Sequence, residues 1–174
     1  MVGTSLTAGL GLDPDEAWPA LIQEKIDSAG LPYHVVNAGL SGETSAGALR
    51  RIDWLLRGPV DVFVLETGAN DGLRGLDTDS LRANLEAILA KVHAERPSAR
   101  LALIQMEAPP NLGADYASRF HAVYPVAARA ENATLLPFLL DSVAGRPGLN
   151  QADGMHPNAT GSKIAARTEW RALA

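Results

Sequence analysis

The chain has 174 residues, 47% of them apolar and 20% charged, with a formal net charge of −5 and no cysteine. That length allows one domain with a sizeable core, and the composition is that of a folded globular protein. The charge argues against the basic face that a nucleic-acid partner needs, and the absent cysteines exclude disulfides, thiolate nucleophiles and cysteine-ligated metals.

The chain opens Met1-Val2-Gly3-Thr4-Ser5, with no basic start and no long apolar segment. The expectation is a cytoplasmic protein, or a periplasmic or secreted one if a leader lies upstream. No apolar run approaches the ~18 residues of a membrane span. Apolar runs then alternate with amphipathic stretches, which is the α/β pattern. Trp18, Leu21, Ile22 and Ile26 place a helix over residues 17–29, stopped by Gly30 and Pro32. Residues 33–38 read as a short strand. Ser41-Gly42-Glu43-Thr44 turns the chain into a helix that runs to Leu56. Residues 60–66 read as a strand whose continuous apolar centre calls for burial on both faces, as in a parallel sheet.

That strand leads into Gly68-Ala69-Asn70-Asp71-Gly72, and a loop follows to Asp77. Asp79 or Ser80 is expected to cap a long helix ending near Glu95. Residues 101–106 form the next buried strand, and Ala108-Pro109-Pro110-Asn111-Leu112-Gly113 a stiff loop. Residues 114–130 have helical periodicity, but Pro125 should kink or break that helix. Residues 134–139 are strand-like, and Pro137 assigns them to a sheet edge or an early strand end. A Gly/Pro loop carries Asp153-Gly154-Met155-His156-Pro157, and a helix over roughly 159–172 closes the chain.

In an open parallel sheet, ligands bind beyond the carboxyl ends of the strands. Ser41-Gly42, Asn70, Pro109–Asn111 and the Asp153/His156 pair all follow strands, so they should share one rim. Asp153 stands three residues before His156, a spacing that lets a carboxylate hold the far nitrogen of an imidazole. Each of these residues also has a plainer reading. Ser5 could be a helix N-cap, Gly42 a turn glycine, Asn70 the head of an Asx-turn, and Asp153/His156 a polar turn. Asp71 is expected to pin its loop. Taken together they supply a nucleophile, oxyanion donors, a base and an orienting acid. His34, His93 and His121 have no partners at metal-binding spacing, and Trp18, Trp54 and Trp170 read as packing residues.

The blocks Ser5-Leu-Thr-Ala-Gly, Asn37-Ala-Gly-Leu-Ser-Gly-Glu-Thr-Ser, Gly68-Ala-Asn-Asp-Gly-Leu-Arg-Gly and Asp153-Gly-Met-His-Pro-Asn resemble the SGNH hydrolases, the Gly-Asp-Ser-Leu esterases and lipases. The likeness spans the whole chain and is strongest to the small bacterial arylesterases, thioesterases and lysophospholipases. It implies one domain over residues 1–174, folded as a three-layer α/β/α sandwich around a flavodoxin-like, mostly parallel sheet. It implies hydrolysis of carboxylic esters through an acyl-enzyme, with no metal and no organic cofactor. Ser5 matches the nucleophile, His156 the base and Asp153 its orienting acid. Ser5, Gly42 and Asn70 match the oxyanion donors. The loop from Glu107 to Leu112, with Ala108, Pro109, Pro110 and Asn111, matches the flap over the acyl pocket; its small, stiff make-up points to short acyl or aryl esters.

Two departures stand out. Thr4 replaces the family aspartate that ties down the nucleophile turn, so a looser turn and slower turnover are expected. Only Met1 and Val2 precede Gly3, so the chain lacks a full first strand. The ways out are a truncated chain or a misassigned start, sheet rearrangement, or a homo-oligomer formed by strand pairing or domain swapping, with the last two expected. The alternatives kept open are a carbohydrate O-deacetylase or acyltransferase on the same site, and a catalytically impaired relative that binds an acyl ligand. A nucleotide binder is disfavoured, because no Gly-rich phosphate loop follows a strand.

Overall fold

Strands and helices alternate in the computed structural model, which describes residues 1–173. β1 (Val2–Gly3), β2 (Ala38–Gly39), β3 (Val62–Leu65), β4 (Arg100–Gln105) and β5 (Thr134–Phe138) form one sheet in the order β2-β1-β3-β4-β5. All neighbours run parallel. The helices are α1 (Ser5–Ala8), α2 (Trp18–Ser28), α3 (Ser45–Leu55), α4 (Ala69–Leu73), α5 (Thr78–Glu95), α6 (Ala114–Ala130) and α7 (Ala159–Leu173). α2 packs on α7, while α5 packs on α3 and α6. Right-handed crossovers put these two groups on opposite faces of the sheet, which gives the three-layer sandwich. Strand order reverses at β1, so the loops after β1, β2 and β3 meet at a topological switch point.

β1 has two residues and lies inside the sheet, between β2 and β3. The Ala38 N–H donates to Met1 O, the Leu40 N–H to Gly3 O and the Glu66 N–H to Val2 O, each at 2.8 Å. The sheet order is therefore not rearranged. Of the expected strand over residues 33–38 only Ala38 lies in β2, which continues to Gly39. Before Ala38 the segment still meets the β1 end, where the Met1 amino group donates to Val36 O at 2.9 Å. The Gln23 side chain on α2 holds the residues before it: Oε1 accepts the Val35 N–H at 2.6 Å, and Nε2 donates to Tyr33 O at 3.2 Å.

The remaining elements follow their residues. Phe63, Val64 and Leu65 are buried, as are Leu101–Ile104, and each such side chain contributes roughly 1.5–3 kcal/mol by leaving water. Thr44 caps α3 by accepting the Gly47 N–H. α5 begins slightly earlier than expected, because Asp77, not Asp79 or Ser80, accepts the Ser80 N–H at 2.8 Å. β5 is an edge strand, and the register slips at Pro137, so that Ile104 faces Leu136 and Gln105 faces Phe138. Pro125 does not break α6, which runs unbroken over Ala114–Ala130. Proline has no N–H for the His121 carbonyl four residues back, and the Gln105 amide donates to that oxygen at 3.3 Å.

Candidate active site

Ser5 is the first residue of α1, held there by Thr4 as N-cap. At that position its N–H has no carbonyl partner within its own helix and is free to bind an oxyanion. Its Oγ lies 2.8 Å from His156 Nε2. On the other side of the ring, His156 Nδ1 lies 2.6 Å from Asp153 Oδ2. This pairing assigns the proton to Nδ1 and leaves Nε2 as the acceptor. Asp153 Oδ1 accepts the Met155 and His156 N–H groups at 2.9 and 3.0 Å. These bonds, led by the His156 N–H, hold the Asp153 carboxyl down at about 2. The turn between them needs Gly154, whose φ is +71°.

The expected oxyanion donors flank the same turn. Gly3 pairs with Gly39, which sets Ser41-Gly42 beside the residues that follow β1. Gly42 has φ +79°, a left-handed conformation that suits glycine. Val2 pairs with Leu65, which brings the segment after β3 to the other side of β1. The expected loop there is partly helical: Asn70 lies in the single turn α4, and its Nδ2 donates to Glu43 O at 2.9 Å. The remaining Nδ2 hydrogen can serve an oxyanion. The flap lies alongside: the Ala108 Cα is 3.6 Å from where a Cβ on Gly72 would sit, and Leu112 is 3.7 Å from the same point on Gly75. Pro110–Leu112 form a 3-10 turn, and Asn111 is exposed on it.

A nucleophile, a base and an orienting acid within hydrogen-bond reach can run acyl transfer. The comparisons with known proteins agree. The model of the GDSL-like lipase/acylhydrolase family matches residues 1–164. The chain belongs to this family. It is 40% identical to esterase TesA of Pseudomonas aeruginosa over 174 residues, covering 99% of this chain and 86% of that protein. It is 38% identical to thioesterase 1/protease 1/lysophospholipase L1 of Escherichia coli K12 over 173 residues, covering 99% of this chain and 80% of that protein. The crystal structure of the psychrotrophic esterase EstA from Pseudoalteromonas sp., inhibited by monoethylphosphonate, superposes with a TM-score of 0.91 at 34% identity, covering 99% of this chain and 95% of that one. Carboxylic-ester hydrolysis is the activity class of this chain, as its sequence led us to expect.

For a family member the nucleophile turn is unusual, and the structure shows what steadies it. Glu66 is fully buried. It accepts the Thr4 N–H and the Thr7 hydroxyl, each at 2.8 Å, and the Thr4 hydroxyl at 3.0 Å. The looser turn expected from Thr4 is therefore not what forms. Burial drives the Glu66 carboxyl up to about 7, against the pull of these hydrogen bonds. Sequence reading had treated Glu66 only as the end of a strand. The signal was a carboxylate at the end of a strand buried on both faces, where an uncompensated charge is costly.

Other supports were also missed. Arg51 donates to both Glu43 oxygens, at 2.7 and 2.6 Å, and to Ala38 O at 2.7 Å. Arg74 donates to Gly42 O at 3.0 Å. Together they fix the Gly42 loop. Gln151 Nε2 bridges Leu10 O and Pro157 O at 2.7 and 2.9 Å, tying the histidine loop to the nucleophile side. Asp71 pins as expected, accepting the Ser45 N–H at 2.8 Å and the Ser45 hydroxyl at 2.6 Å. His34 and His93 are exposed and stand outside this arrangement, and His121 pairs with Glu107 at 2.7 Å beside the flap. Among the described residues no group of three or more His, Asp or Glu side chains could hold a metal ion.

Proposed function

We propose that this chain hydrolyses short-chain acyl or aryl esters, and thioesters of similar size, through an acyl-enzyme on Ser5. The observation that carries this reading is the unbroken line from Ser5 Oγ to His156 Nε2, and from His156 Nδ1 to Asp153, at 2.8 and 2.6 Å. His156 takes the Ser5 proton as Oγ attacks the carbonyl carbon. The Ser5 and Gly42 N–H groups and the Asn70 amide receive the negative charge on the carbonyl oxygen. His156 then protonates the departing alcohol or thiol. Water repeats the sequence on the acyl-enzyme and releases the acid.

The preference for short acyl groups rests on the flap. Ala108, Pro109 and Pro110 offer little apolar length to cover a long chain. The thioesterase/lysophospholipase name of the Escherichia coli relative supports including thioesters and makes long-chain substrates the reading to beat. Hydrolysis of a p-nitrophenyl ester series from acetate to palmitate tests both parts. The expected result is the highest kcat/KM at acetate or butyrate, and loss of turnover in Ser5→Ala by about 10³-fold or more. A maximum at palmitate would overturn the flap argument. Equal rates in the two proteins would overturn Ser5.

A further inference from the structure

Glu66 sits at a junction that the catalytic scheme does not use directly. Its backbone N–H donates to Val2 O at 2.8 Å. Its Oε2 accepts the Thr4 N–H and the Thr7 hydroxyl, both at 2.8 Å, and its Oε1 accepts the Thr4 hydroxyl at 3.0 Å. One residue therefore grips the chain on both sides of Gly3, immediately before Ser5. Gly3 is what permits the approach: a Cβ there would lie 2.6 Å from Glu66 Oε2 and 2.1 Å from Thr7 Oγ1. Beyond Glu66 the chain runs through Thr67 and Gly68 to Asn70. The Tyr124 hydroxyl donates to Thr67 O at 2.9 Å and holds that path. The same residue thus meets the nucleophile turn through its side chain and the oxyanion donor through its backbone.

Packing alone does not account for a carboxyl at this place. The residues before it, Phe63, Val64 and Leu65, are buried and apolar, and an apolar side chain would fill the space without the cost of burying a charge. Its hydrogen bonds go to the turn that presents Ser5. We propose that Glu66 is a positioning residue, which fixes the Ser5 turn against the Asn70 segment so that Oγ, the imidazole and the oxyanion donors share one geometry. The proposal rests on Ser5 as nucleophile.

Turnover of p-nitrophenyl acetate by the purified chain tests it, with kcat expressed per folded molecule from circular dichroism and with KM measured separately. A residue that only stabilises the fold would lower the folded fraction and leave kcat per folded molecule unchanged. In Glu66→Leu, kcat is expected to fall by about 100-fold, the scale of a small misplacement of reacting groups, with KM within about threefold. Glu66→Gln keeps the shape and one acceptor: its amide oxygen can take the Thr4 N–H and its NH2 can donate to a threonine hydroxyl. It is expected to stay within about tenfold of the parent kcat.

A folded Glu66→Leu with kcat within about threefold of the parent overturns the proposal, and so does a Glu66→Gln as impaired as the leucine variant. If Glu66→Leu does not fold, Thr7→Val decides, because it removes one donor and little volume. There a loss of about threefold or more in kcat at constant KM supports the role, and a smaller loss overturns it. Ser5→Ala separates the two levels. Turnover in that variant overturns the nucleophile itself, while a dead Ser5→Ala beside an unimpaired Glu66→Leu overturns only the positioning role.

Discussion

Both carboxylate oxygens of Asp153 are committed, Oδ1 to the Met155 and His156 N–H groups and Oδ2 to His156 Nδ1. A depressed carboxyl stays ionised until the pH falls through its folded value, here about 2. Asp153 is therefore charged throughout the mildly acid range. The pH profile of kcat/KM is therefore expected to show no limb from Asp153 in that range, and a limb there that Asp153→Asn removes would contradict this assignment. Asp153→Asn should lower kcat by about 10²–10⁴-fold, and Asn70→Ala by about 10²–10³-fold, with KM little changed in steady-state assays. The candidates Ser5, Gly42, Asn70, Asp153 and His156 stood out in the sequence because each sits in a short block of Gly, Asn or Pro that restricts its backbone. Glu66, Arg51 and Gln151 were not, because their partners lie far along the chain and no local spacing announces them.

At the scale of elements, α7 carries an anomaly that can be measured. Glu169 is fully buried, and among the described residues neither carboxyl oxygen has a hydrogen-bond partner. Burial pushes its carboxyl up to about 8. The unfolded chain gives up this proton near the ordinary glutamate value, while the folded chain holds it. The unfolded state therefore binds fewer protons between those limits, and stability falls as pH rises from about 4.5 to about 8. Glu169→Met should stabilise the protein by about 1–3 kcal/mol, with a larger gain at high than at low pH in urea unfolding. No gain, or a gain confined to acid pH, would contradict this reading. Element types were otherwise legible where periodicity was strong, as in α5, β3 and β4. The expected strand over residues 33–38 was placed too early, because its pairing is fixed by partners distant in sequence, and β2 is Ala38–Gly39. Pro137 was read correctly because a missing ladder donor matters in any strand. Residues 114–130 were read correctly as a helix, and the break that Pro125 threatened does not occur, with Gln105, distant in sequence, taking up the carbonyl that it frees.

For the molecule as a whole, strand order does the positioning. β1 lies between β2 and β3, so the turns after these strands, which carry Ser5, Gly42 and Asn70, come together without any long-range contact among those side chains. The Asp153–His156 loop reaches them from the far edge of the sheet, after β5, and Gln151 fastens it to Leu10. The shortened β1 keeps this order, because its ladder to β2 and β3 survives over the residues immediately before Ser5. Family and fold class could be read from the sequence, and so could the placing of the candidate site residues on one rim, whereas the hydrogen bonds from Thr4 to Glu66 needed coordinates.

The most direct measurement is reaction of the chain with a p-nitrophenyl alkylphosphonate, followed by intact mass and peptide mapping. A single phosphonyl adduct on the peptide containing Ser5, formed as activity is lost and absent from Ser5→Ala, is the expected result. An adduct on another residue, or full loss of activity with Ser5 unmodified, would contradict Ser5 as the nucleophile of this esterase.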